Sequence, residues 1–243
     1  MHRVPEPAGH AAEDMSAAVP GGAIALVGAG HGARELMTFR AVSRLQAADV
    51  VFYDRLVDAE ALELARPEAE LVFVGKHGGA HSWPQDRINA VIVAEARKGR
   101  RVVRLKSGDP GIFGRAGEEI EAARRAGIPV EIVPGVTAAS AASAAWGESL
   151  TERGVSDTLV LTTGRGCDDD PLPDSVRTAA PGTTLAFYMS VGQSRRIRDA
   201  LLARGLSPAA IVRIAADVSK PTERLGSSPM RALPRHLEEL GCT

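Results

Sequence analysis

Residues 23–53, AIALVGAGHGARELMTFRAVSRLQAADVVFY, contain the pattern that decides the fold class of this 243-residue chain. A short apolar run at Ala23–Val27 enters a glycine-rich turn, and apolar residues at helical spacing then occupy Arg34–Ala48. A second apolar run follows at Val50–Tyr53. This order predicts a strand, a helix and a second strand, the unit of a mostly parallel sheet with helices on its faces.

The alternation of apolar runs and helical patterns continues along the chain, and a polar stretch at residues 167–175, CDDDPLPDS, predicts a surface loop. We expect an α/β fold with a flexible tail at 1–21, an N-terminal α/β domain at 22–134 and a C-terminal α/β domain at 135–243. The further predicted strands are Leu71–Val74, Val102–Leu105, Val130–Val133, Thr158–Thr162, Thr183–Tyr188 and Ile211–Ala215. The further predicted helices are Gln85–Arg97, Ala116–Ala126, Thr137–Trp146, Ser194–Arg204 and Leu233–Leu240.

Composition excludes several classes of protein. The 29 basic and 30 acidic residues nearly cancel, which argues against binding nucleic acid through overall charge. Two cysteines, Cys167 and Cys242, have no zinc-ligand spacing and form no disulfide framework, which favours a reducing, cytoplasmic location without a metal site. No apolar run approaches the roughly 20 residues that span a bilayer, and the start of the chain is not typical of a signal peptide.

Three loops that follow predicted strands are the candidate ligand-binding segments. They are the first loop GAGHGARE (28–35), the second loop RLKSGDPGIFGRAGEE (104–119) and the third loop PGVTAAS (134–140). The first lacks the last glycine of a dinucleotide-binding motif, because Ala33 stands there, and is equally explained as a tight turn. Loops after parallel strands share one sheet edge, where open α/β proteins bind ligands.

Polar side chains within these loops carry the chemical signal. The second loop adds Lys106, Asp109, Arg115 and Glu118 to its glycines, which is more charge than a connecting loop needs. In the third loop, Thr137 is placed to cap the helix that it opens. We therefore expect a ligand-binding site at this edge, with the second loop as its most informative part.

At this point the sequence resembles a known family. YDRLV (53–57), the GDPGIFGRAGEE part of the second loop and PGVTAAS occur in the order seen in uroporphyrinogen-III C-methyltransferases, as do VGKHGGAHSWPQDRIN (74–89), SLTERG (149–154) and AFYMSVG (186–192). The resemblance covers residues 22–225. It implies the tetrapyrrole methylase fold, a class III S-adenosylmethionine (SAM) methyltransferase of two α/β domains with a cleft between them, and a homodimer.

The resemblance also implies a reaction and a set of site residues. The reaction would move methyl groups from SAM to C2 and C7 of uroporphyrinogen III, giving precorrin-2 through precorrin-1 and leaving S-adenosylhomocysteine, in sirohaem, cobalamin or haem d1 synthesis. The implied catalytic residues are Asp54, Lys76, Arg115, Glu118 and Arg153. The implied cofactor-binding residues are His31, Ser107, Gly108, Asp109, Ile112, Thr137, Ala138, Met189 and Val218.

Three positions depart from the family pattern. His31 replaces a proline, Ala33 replaces an acid, and Ser107 replaces a glycine. Backbone contacts to the cofactor would tolerate these changes, whereas the missing acid at position 33 could weaken substrate handling or mark a divergent subgroup. The sequence also lacks the extra domain that would add dehydrogenase and chelatase steps, so we expect a monofunctional enzyme.

Residue chemistry fits this reaction, although plainer explanations stay open. A methyl transfer to a ring carbon needs alignment of the reactants and one general base. Arg115 with Glu118 suits either an electrostatic clamp for the substrate or an ordinary surface ion pair. Asp54 suits either an acid/base group or the cap of a turn. Met189 suits either a contact to the cofactor or a place in the apolar core. The cations expected to recognise the substrate carboxylates are Arg55, Lys76, Arg104, Lys106, Arg115 and Arg153.

Two other hypotheses remain at this stage. A relative of the same fold could methylate a later corrin ring or ribosomal RNA, although RNA binding would favour a basic chain. Alternatively, a homologue whose activity decayed with Ala33 could bind SAM or a tetrapyrrole without catalysis. An assay with SAM and uroporphyrinogen III separates them.

Overall fold

The computed structural model describes residues 22–75, 83–164, 172–173, 176 and 180–242. The predicted tail at 1–21 and most of the predicted surface loop at 167–175 lie outside these ranges. Within these ranges, no helix combines the length and the apolarity needed to cross a membrane.

A five-stranded parallel sheet forms the N-terminal part of the described structure, with strand order β3-β2-β4-β1-β5. The predicted parallel sheet is thereby confirmed. Because β1 lies between β4 and β5, the loops that follow these three strands leave the same edge side by side. The strands are β1 Ala23–Gly28, β2 Val50–Tyr53, β3 Glu70–Phe73, β4 Arg101–Lys106 and β5 Val130–Val133.

Helices cover both faces of this sheet. One face packs Val27 and Leu105 against Ala41 and Leu45 of the first helix, and the other packs Leu26 against the third and fourth helices. Neighbouring residues of a strand are therefore buried on opposite faces, as parallel sheets require. The helices are α1 Phe39–Ala47, α2 Ala59–Leu62, α3 Gln85–Arg97, α4 Ala116–Arg125 and α5 Ala138–Trp146.

The predicted helix over Arg34–Ala48 is wrong in its first turn. Residues Arg34–Leu36 form a short 3-10 turn, and Met37 is extended and buried. Helix α1 starts only at Phe39, because the Thr38 hydroxyl accepts a hydrogen bond from the Ala41 N–H at 3.1 Å. A threonine cap of this kind fixes a helix start that apolar spacing alone does not locate.

The C-terminal part combines a parallel and an antiparallel strand pair. Strand β6 (Thr158–Thr163) pairs in parallel with β7 (Thr183–Tyr188), and β8 (Ile211–Ala216) pairs antiparallel with β9 (Arg224–Pro229). Strand β9 was not predicted, since its sequence RLGSSP lacks apolar alternation and contains glycine and proline. Helices α6 (Ser194–Ala203) and α7 (Leu233–Glu239) pack on these strands through Ile197, Leu201, Ile214, Met230 and Leu237.

The carboxylate of Asp49 ties the starts of the central strands together. It accepts hydrogen bonds from the Arg101 backbone N–H at 2.7 Å and from Arg101 Nη2 at 2.9 Å, and Arg66 completes the cluster. The hydrogen bond from the Arg101 side chain lowers the pKa of Asp49 to about 2. Asp49 therefore stabilises the fold at the sheet edge opposite the candidate site.

Candidate active site

The three glycine-containing loops meet at the carboxyl edge of the sheet. The Gly108 N–H donates to the Gly30 carbonyl at 2.6 Å, which joins the second loop to the first. One oxygen of Asp109 accepts from the Gly111 N–H at 2.7 Å, and the other accepts from the Gly135 N–H at 3.1 Å. Asp109 therefore holds the second loop to itself and to the third loop.

Close backbone approach explains why glycine stands at the contact between these loops. A Cβ at Gly135 would lie 2.2 Å from the Gly108 carbonyl oxygen, and one at Gly28 would lie 2.6 Å from the same oxygen. By contrast, a Cβ at Gly108 would meet nothing nearer than 4.0 Å, where the Thr137 Cα lies. The loops are thus packed tightly below Gly108 and leave space beside it.

Tyr188 joins the C-terminal strands to the third loop. Its hydroxyl lies 2.7 Å from the Thr137 hydroxyl and accepts a hydrogen bond from the Ala139 N–H at 3.0 Å. The prediction that the Thr137 side chain caps α5 is therefore wrong: Thr137 occupies the cap position without making the cap hydrogen bond. Tyr188 supplies the oxygen instead, from 49 residues further along the chain.

Two large apolar side chains flank this tyrosine in strained backbone. The Phe113 ring lies 5.0 Å from the Tyr188 ring, and Met189 follows strand β7 directly. Both residues have positive φ, 52° in each case, although neither is glycine. Met189 is 59% exposed, so it does not fill the core. Strained residues of this kind concentrate at functional sites.

The first loop contacts the turn after β8. A Cβ at Gly32 would lie 2.4 Å from the carbonyl oxygen of the buried Val218, so this glycine admits the turn. Asp217 and Ser219, on either side of Val218, adopt positive φ of 51° and 62°. Burial, and then the charge of Lys220, lower the pKa of His31 in this loop. His31 and Val218 thus lie at one junction between the first loop and this turn.

Arg115 and Glu118 form a forked ion pair at the start of α4. Arg115 Nε lies 2.7 Å from one Glu118 oxygen and Nη2 lies 2.8 Å from the other. Arg115 also has a positive φ of 56°, and its side chain is 58% exposed. The hydrogen bond from Arg115 lowers the pKa of Glu118. The expected orientation of Arg115 by Glu118 is present in the structure, on a side chain that is more than half exposed.

Asp54 follows strand β2 at the same edge. One carboxylate oxygen accepts from the Leu56 N–H at 3.1 Å, which is the turn cap that the sequence allowed. The other lies 3.2 Å from Nη2 of Arg104. The Asp54 side chain is 29% exposed. It is therefore held at both oxygens and still reaches the surface.

Arg104 and Lys106 are not available to bind a substrate carboxylate, which corrects the expectation for these two cations. Both are buried between the sheet and helices α3 and α4, where each contacts the fully buried carboxylate of Glu119. Lys106 Nζ lies 2.9 Å from one oxygen of Glu119, and Arg104 Nε lies 3.2 Å from the other. Burial lowers the pKa of Lys106. Arg55 and Arg115 remain exposed.

The remaining predicted site residues are spread over several positions. Lys76 lies outside the described residues. Arg153 is exposed in the turn closed by Glu152 and Ser156, and no described contact links it to the three loops. The structure brings together, around those loops, His31, Ser107, Gly108, Asp109, Ile112, Thr137, Ala138, Met189 and Val218.

Metal ligands do not cluster in the described part of the chain. Across residues 22–75, 83–164 and 180–242, no three histidine, cysteine or acidic side chains are grouped so that they could hold a metal ion. Cys242 is a free thiol, and Cys167 lies outside the described residues.

Comparison with known proteins places this arrangement in a family. The sequence profile of the tetrapyrrole (corrin/porphyrin) methylases matches residues 23–234. The chain belongs to the tetrapyrrole methylase family. The predicted family and fold class are confirmed, and the chain is a methyltransferase of the SAM-dependent tetrapyrrole methylase family.

Individual tetrapyrrole methylases give the degree of similarity. A siroheme synthase 2 of Klebsiella pneumoniae is 48% identical over 194 residues, which are 79% of this chain and 42% of that protein. A siroheme synthase 2 of Yersinia enterocolitica is 43% identical over 212 residues, 87% of this chain and 45% of that protein. The chain thus spans less than half the length of these curated relatives.

Solved structures of tetrapyrrole methylases match nearly the whole chain. A uroporphyrin-III C-methyltransferase of Thermus thermophilus, solved with S-adenosyl homocysteine, is 38% identical with a TM-score of 0.75, covering 91% of this chain and 92% of that one. A cobalt precorrin-4 methyltransferase of cobalamin biosynthesis is 26% identical with a TM-score of 0.78, covering 90% of each chain.

Sequence reasoning missed Tyr188 and Glu119, and it assigned Arg104 a different role from the one that the structure shows. Tyr188 makes its contacts from a distant strand, and no local pattern marks it. Arg104 and Glu119 did leave a signal. Arg104 stands in a strand predicted to be buried, and Glu119 lies at helical spacing from the apolar residues Ala116 and Ala123. Opposite charges at two inward positions predict a buried ion pair.

Proposed function

We propose that this chain is a uroporphyrinogen-III C-methyltransferase, which transfers methyl groups from SAM to C2 and C7 of uroporphyrinogen III and releases S-adenosylhomocysteine. The product would be precorrin-2, formed through precorrin-1. The observation that carries the proposal is the meeting of three loops, joined by Asp109 and by the Gly108–Gly30 hydrogen bond, at one sheet edge beside an exposed arginine fork. The similarity to the uroporphyrin-III C-methyltransferase of Thermus thermophilus supports this acceptor.

The described residues fit a SAM-sized ligand. Space opens beside Gly108, between the second and third loops, where an added Cβ would meet nothing nearer than 4.0 Å. Ser107, Gly108 and Ile112 belong to the loop on one side of that space, and Thr137 and Ala138 belong to the loop on the other. Exposed Met189 supplies an apolar side chain to cover an adenine or a methionine chain. Bound SAM would supply an activated methyl group.

The arginine fork is proposed to recognise the substrate. Arg115 uses Nε and Nη2 on Glu118, and this pairing fixes the plane of the guanidinium at the end of a side chain that is 58% exposed. Guanidinium groups bind carboxylates through paired hydrogen bonds, and the substrate carries carboxylates around its rim. Arg55 and Arg153, both exposed, are proposed to extend this cationic surface. Their part is to align the ring carbon with the methyl group, which is catalysis by positioning.

Asp54 is proposed as the proton acceptor. When the new carbon–carbon bond forms, sulfur retains the electron pair of the broken bond and the ring must lose a proton. Asp54 presents a carboxylate at the sheet edge, held by the Leu56 N–H and Arg104. A positioned base contributes about 10²–10⁴ in rate. Lys76, in the family motif after β3, is proposed to share in this proton transfer.

An anaerobic assay tests the proposal directly. The protein is incubated with SAM and enzymatically generated uroporphyrinogen III, and product is followed by absorbance and by mass. The expected product carries two added methyl groups and the chromophore of precorrin-2. Binding of S-adenosylhomocysteine is measured separately by calorimetry with EDTA present. Cofactor binding without methylation of this acceptor would refute the proposed substrate.

A later corrin-ring intermediate is the second candidate substrate. The cobalt precorrin-4 methyltransferase has a TM-score of 0.78 with this chain, although at 26% identity. The same assay with a precorrin-4-type acceptor separates the two, because only one acceptor should gain mass.

We also propose that the protein is a homodimer. Several apolar side chains are left exposed in the described structure, among them Phe39, Leu56, Val155 and Ile211. Single exposed apolar residues are ordinary on protein surfaces, so the proposal rests on the family resemblance and on Phe39, which is 97% exposed at the start of α1. Analytical ultracentrifugation should give twice the 25.5 kDa mass of the chain. A single species at the monomer mass would contradict this.

A further inference from the structure

Stability of the fold does not explain why charged side chains are buried between the sheet and helices α3 and α4. Glu119 is completely buried, and the Arg104 and Lys106 side chains are only 5% and 6% exposed. Removing ions from water is costly, and well-packed apolar residues in place of a buried ion pair are often as stable or more stable. Apolar residues close to these charged residues in the sequence, Val102, Ala116 and Ala123, belong to the core on this face of the sheet. The cluster therefore invites a functional explanation.

Arg104 uses every nitrogen of its guanidinium. Nε contacts Glu119 at 3.2 Å, and Nη1 donates to the carbonyl oxygens of Phe52 at 3.3 Å and Leu105 at 2.8 Å. These three contacts lie within the buried core. Nη2 contacts Asp54 at 3.2 Å, and this is the one of the four contacts that leads from the core to the sheet edge.

The other members of the cluster hold Arg104 in place. Glu119 is fixed by Lys106 at 2.9 Å and by Gln85 Nε2, which donates at 3.2 Å from the start of α3. Two cations thus face the two carboxylates of Asp54 and Glu119. Burial lowers the pKa of Lys106, whereas a guanidinium keeps its charge when buried. Arginine is the residue suited to the contact with Asp54.

We infer that Arg104 is a positioning residue for Asp54, and that Glu119 and Lys106 hold Arg104 in the orientation that this role requires. The inference rests on the proposed function, in which Asp54 accepts the ring proton. With Oδ1 fixed by the Leu56 N–H and Oδ2 by Arg104, the carboxylate needs no reorganisation before it accepts a proton.

A double-mutant cycle tests this inference. Arg104→Met and Asp54→Asn should each lower kcat by about tenfold or more, with the KM for SAM unchanged. If Arg104 acts through Asp54, adding Arg104→Met to Asp54→Asn should lower kcat by no more than about threefold. Losses that multiply in the double variant would show that Arg104 does not act through Asp54.

Two further variants separate positioning from stability. Arg44 and Glu131 form a second forked ion pair, mostly buried and away from the three loops, so Arg44→Met with Glu131→Met is the matched control. This control should leave kcat unchanged. If Arg104→Met does not fold, the triple replacement of Arg104, Lys106 and Glu119 by Met removes the whole buried cluster. This triple variant should fold and lose turnover. A triple variant that folds with full turnover would overturn the inference.

A structural readout keeps the inference independent of the substrate. In crystals of Arg104→Met with S-adenosylhomocysteine, the Asp54 carboxylate should leave its present orientation. An unmoved Asp54 would refute positioning by Arg104. If the wild-type protein fails to methylate uroporphyrinogen III while Asp54 moves in these crystals, the proposed substrate is wrong and the positioning role stands.

Discussion

Replacement of Tyr188 by phenylalanine should weaken both the fold and the cofactor site. The change removes one hydroxyl and keeps the ring against Phe113, at 5.0 Å between centroids. Two hydrogen bonds are lost, one with the Thr137 hydroxyl and one accepted from the Ala139 N–H. A helix cap and an ordinary hydrogen bond each contribute about 1 kcal/mol, so we expect a loss of about 2 kcal/mol. In a chain of this size that lowers Tm by about 4–8 °C.

Cofactor affinity should fall with the same change. In the wild type, Tyr188 holds the third loop, which carries Thr137 and Ala138, in place before the ligand binds. In Tyr188→Phe the ligand has to order this loop when it binds. The ordering cost then reduces binding, and we expect affinity for S-adenosylhomocysteine to fall by about three- to tenfold. Calorimetry measures the affinity and thermal unfolding measures Tm. The matched control is Tyr53→Phe, because the Tyr53 hydroxyl makes no hydrogen bond to the described residues.

The outcomes distinguish the possible roles of Tyr188. A lower Tm with unchanged affinity would make the residue structural only. Unchanged Tm and unchanged affinity would mean that the two hydrogen bonds contribute nothing in solution, and the reasoning would be refuted.

Three further changes should give defined results. Arg115→Ala should nearly abolish turnover and leave S-adenosylhomocysteine affinity intact in calorimetry, since its exposed side chain is proposed to contact the substrate and not the cofactor. Gly135→Ala should lose about 1–3 kcal/mol in urea unfolding because its Cβ meets the Gly108 carbonyl, whereas Gly117→Ala, with open space, should not. Asp49→Asn should lose about 2 kcal/mol at neutral pH. A carboxylate with a depressed pKa stabilises the fold above its unfolded value of 3.8, so this difference should disappear as pH falls from 3.8 towards 2.

The parallel sheet could be predicted from the sequence because it depends on local patterns. The predicted strands are short apolar runs bounded by charge, glycine or proline. Their limits match the structure for β2 and β5 and differ by one residue at one or both ends for β1, β3 and β4. Strand β9 was missed because its sequence has no local apolar pattern. Its residues pair with β8 through backbone hydrogen bonds that polar residues make equally well.

The three loops were predictable for a topological reason, whereas the contacts between them were not. Loops after adjacent parallel strands must share an edge, so β1, β4 and β5 bring Gly30, Gly108 and Gly135 together. The hydrogen-bond partner of each backbone group in these loops depends on tertiary geometry. Thr137 has the residue type and position of a helix cap, and the cap is nevertheless made by Tyr188.

The neighbouring carboxylates Glu118 and Glu119 show how helical geometry gives one motif two separate tasks. Successive helical residues point about 100° apart, so Glu118 at the surface reaches Arg115 while Glu119 turns inward between Arg104 and Lys106. Arg115, with its positive φ, ends the second loop and begins the helix that carries both acids. In the proposed function, the motif orients a surface cation towards the substrate and, through Arg104, fixes Asp54 at the adjoining strand end. A one-residue shift of α4 would turn both carboxylates about 100° away from these partners, so the position at which the helix starts sets both contacts.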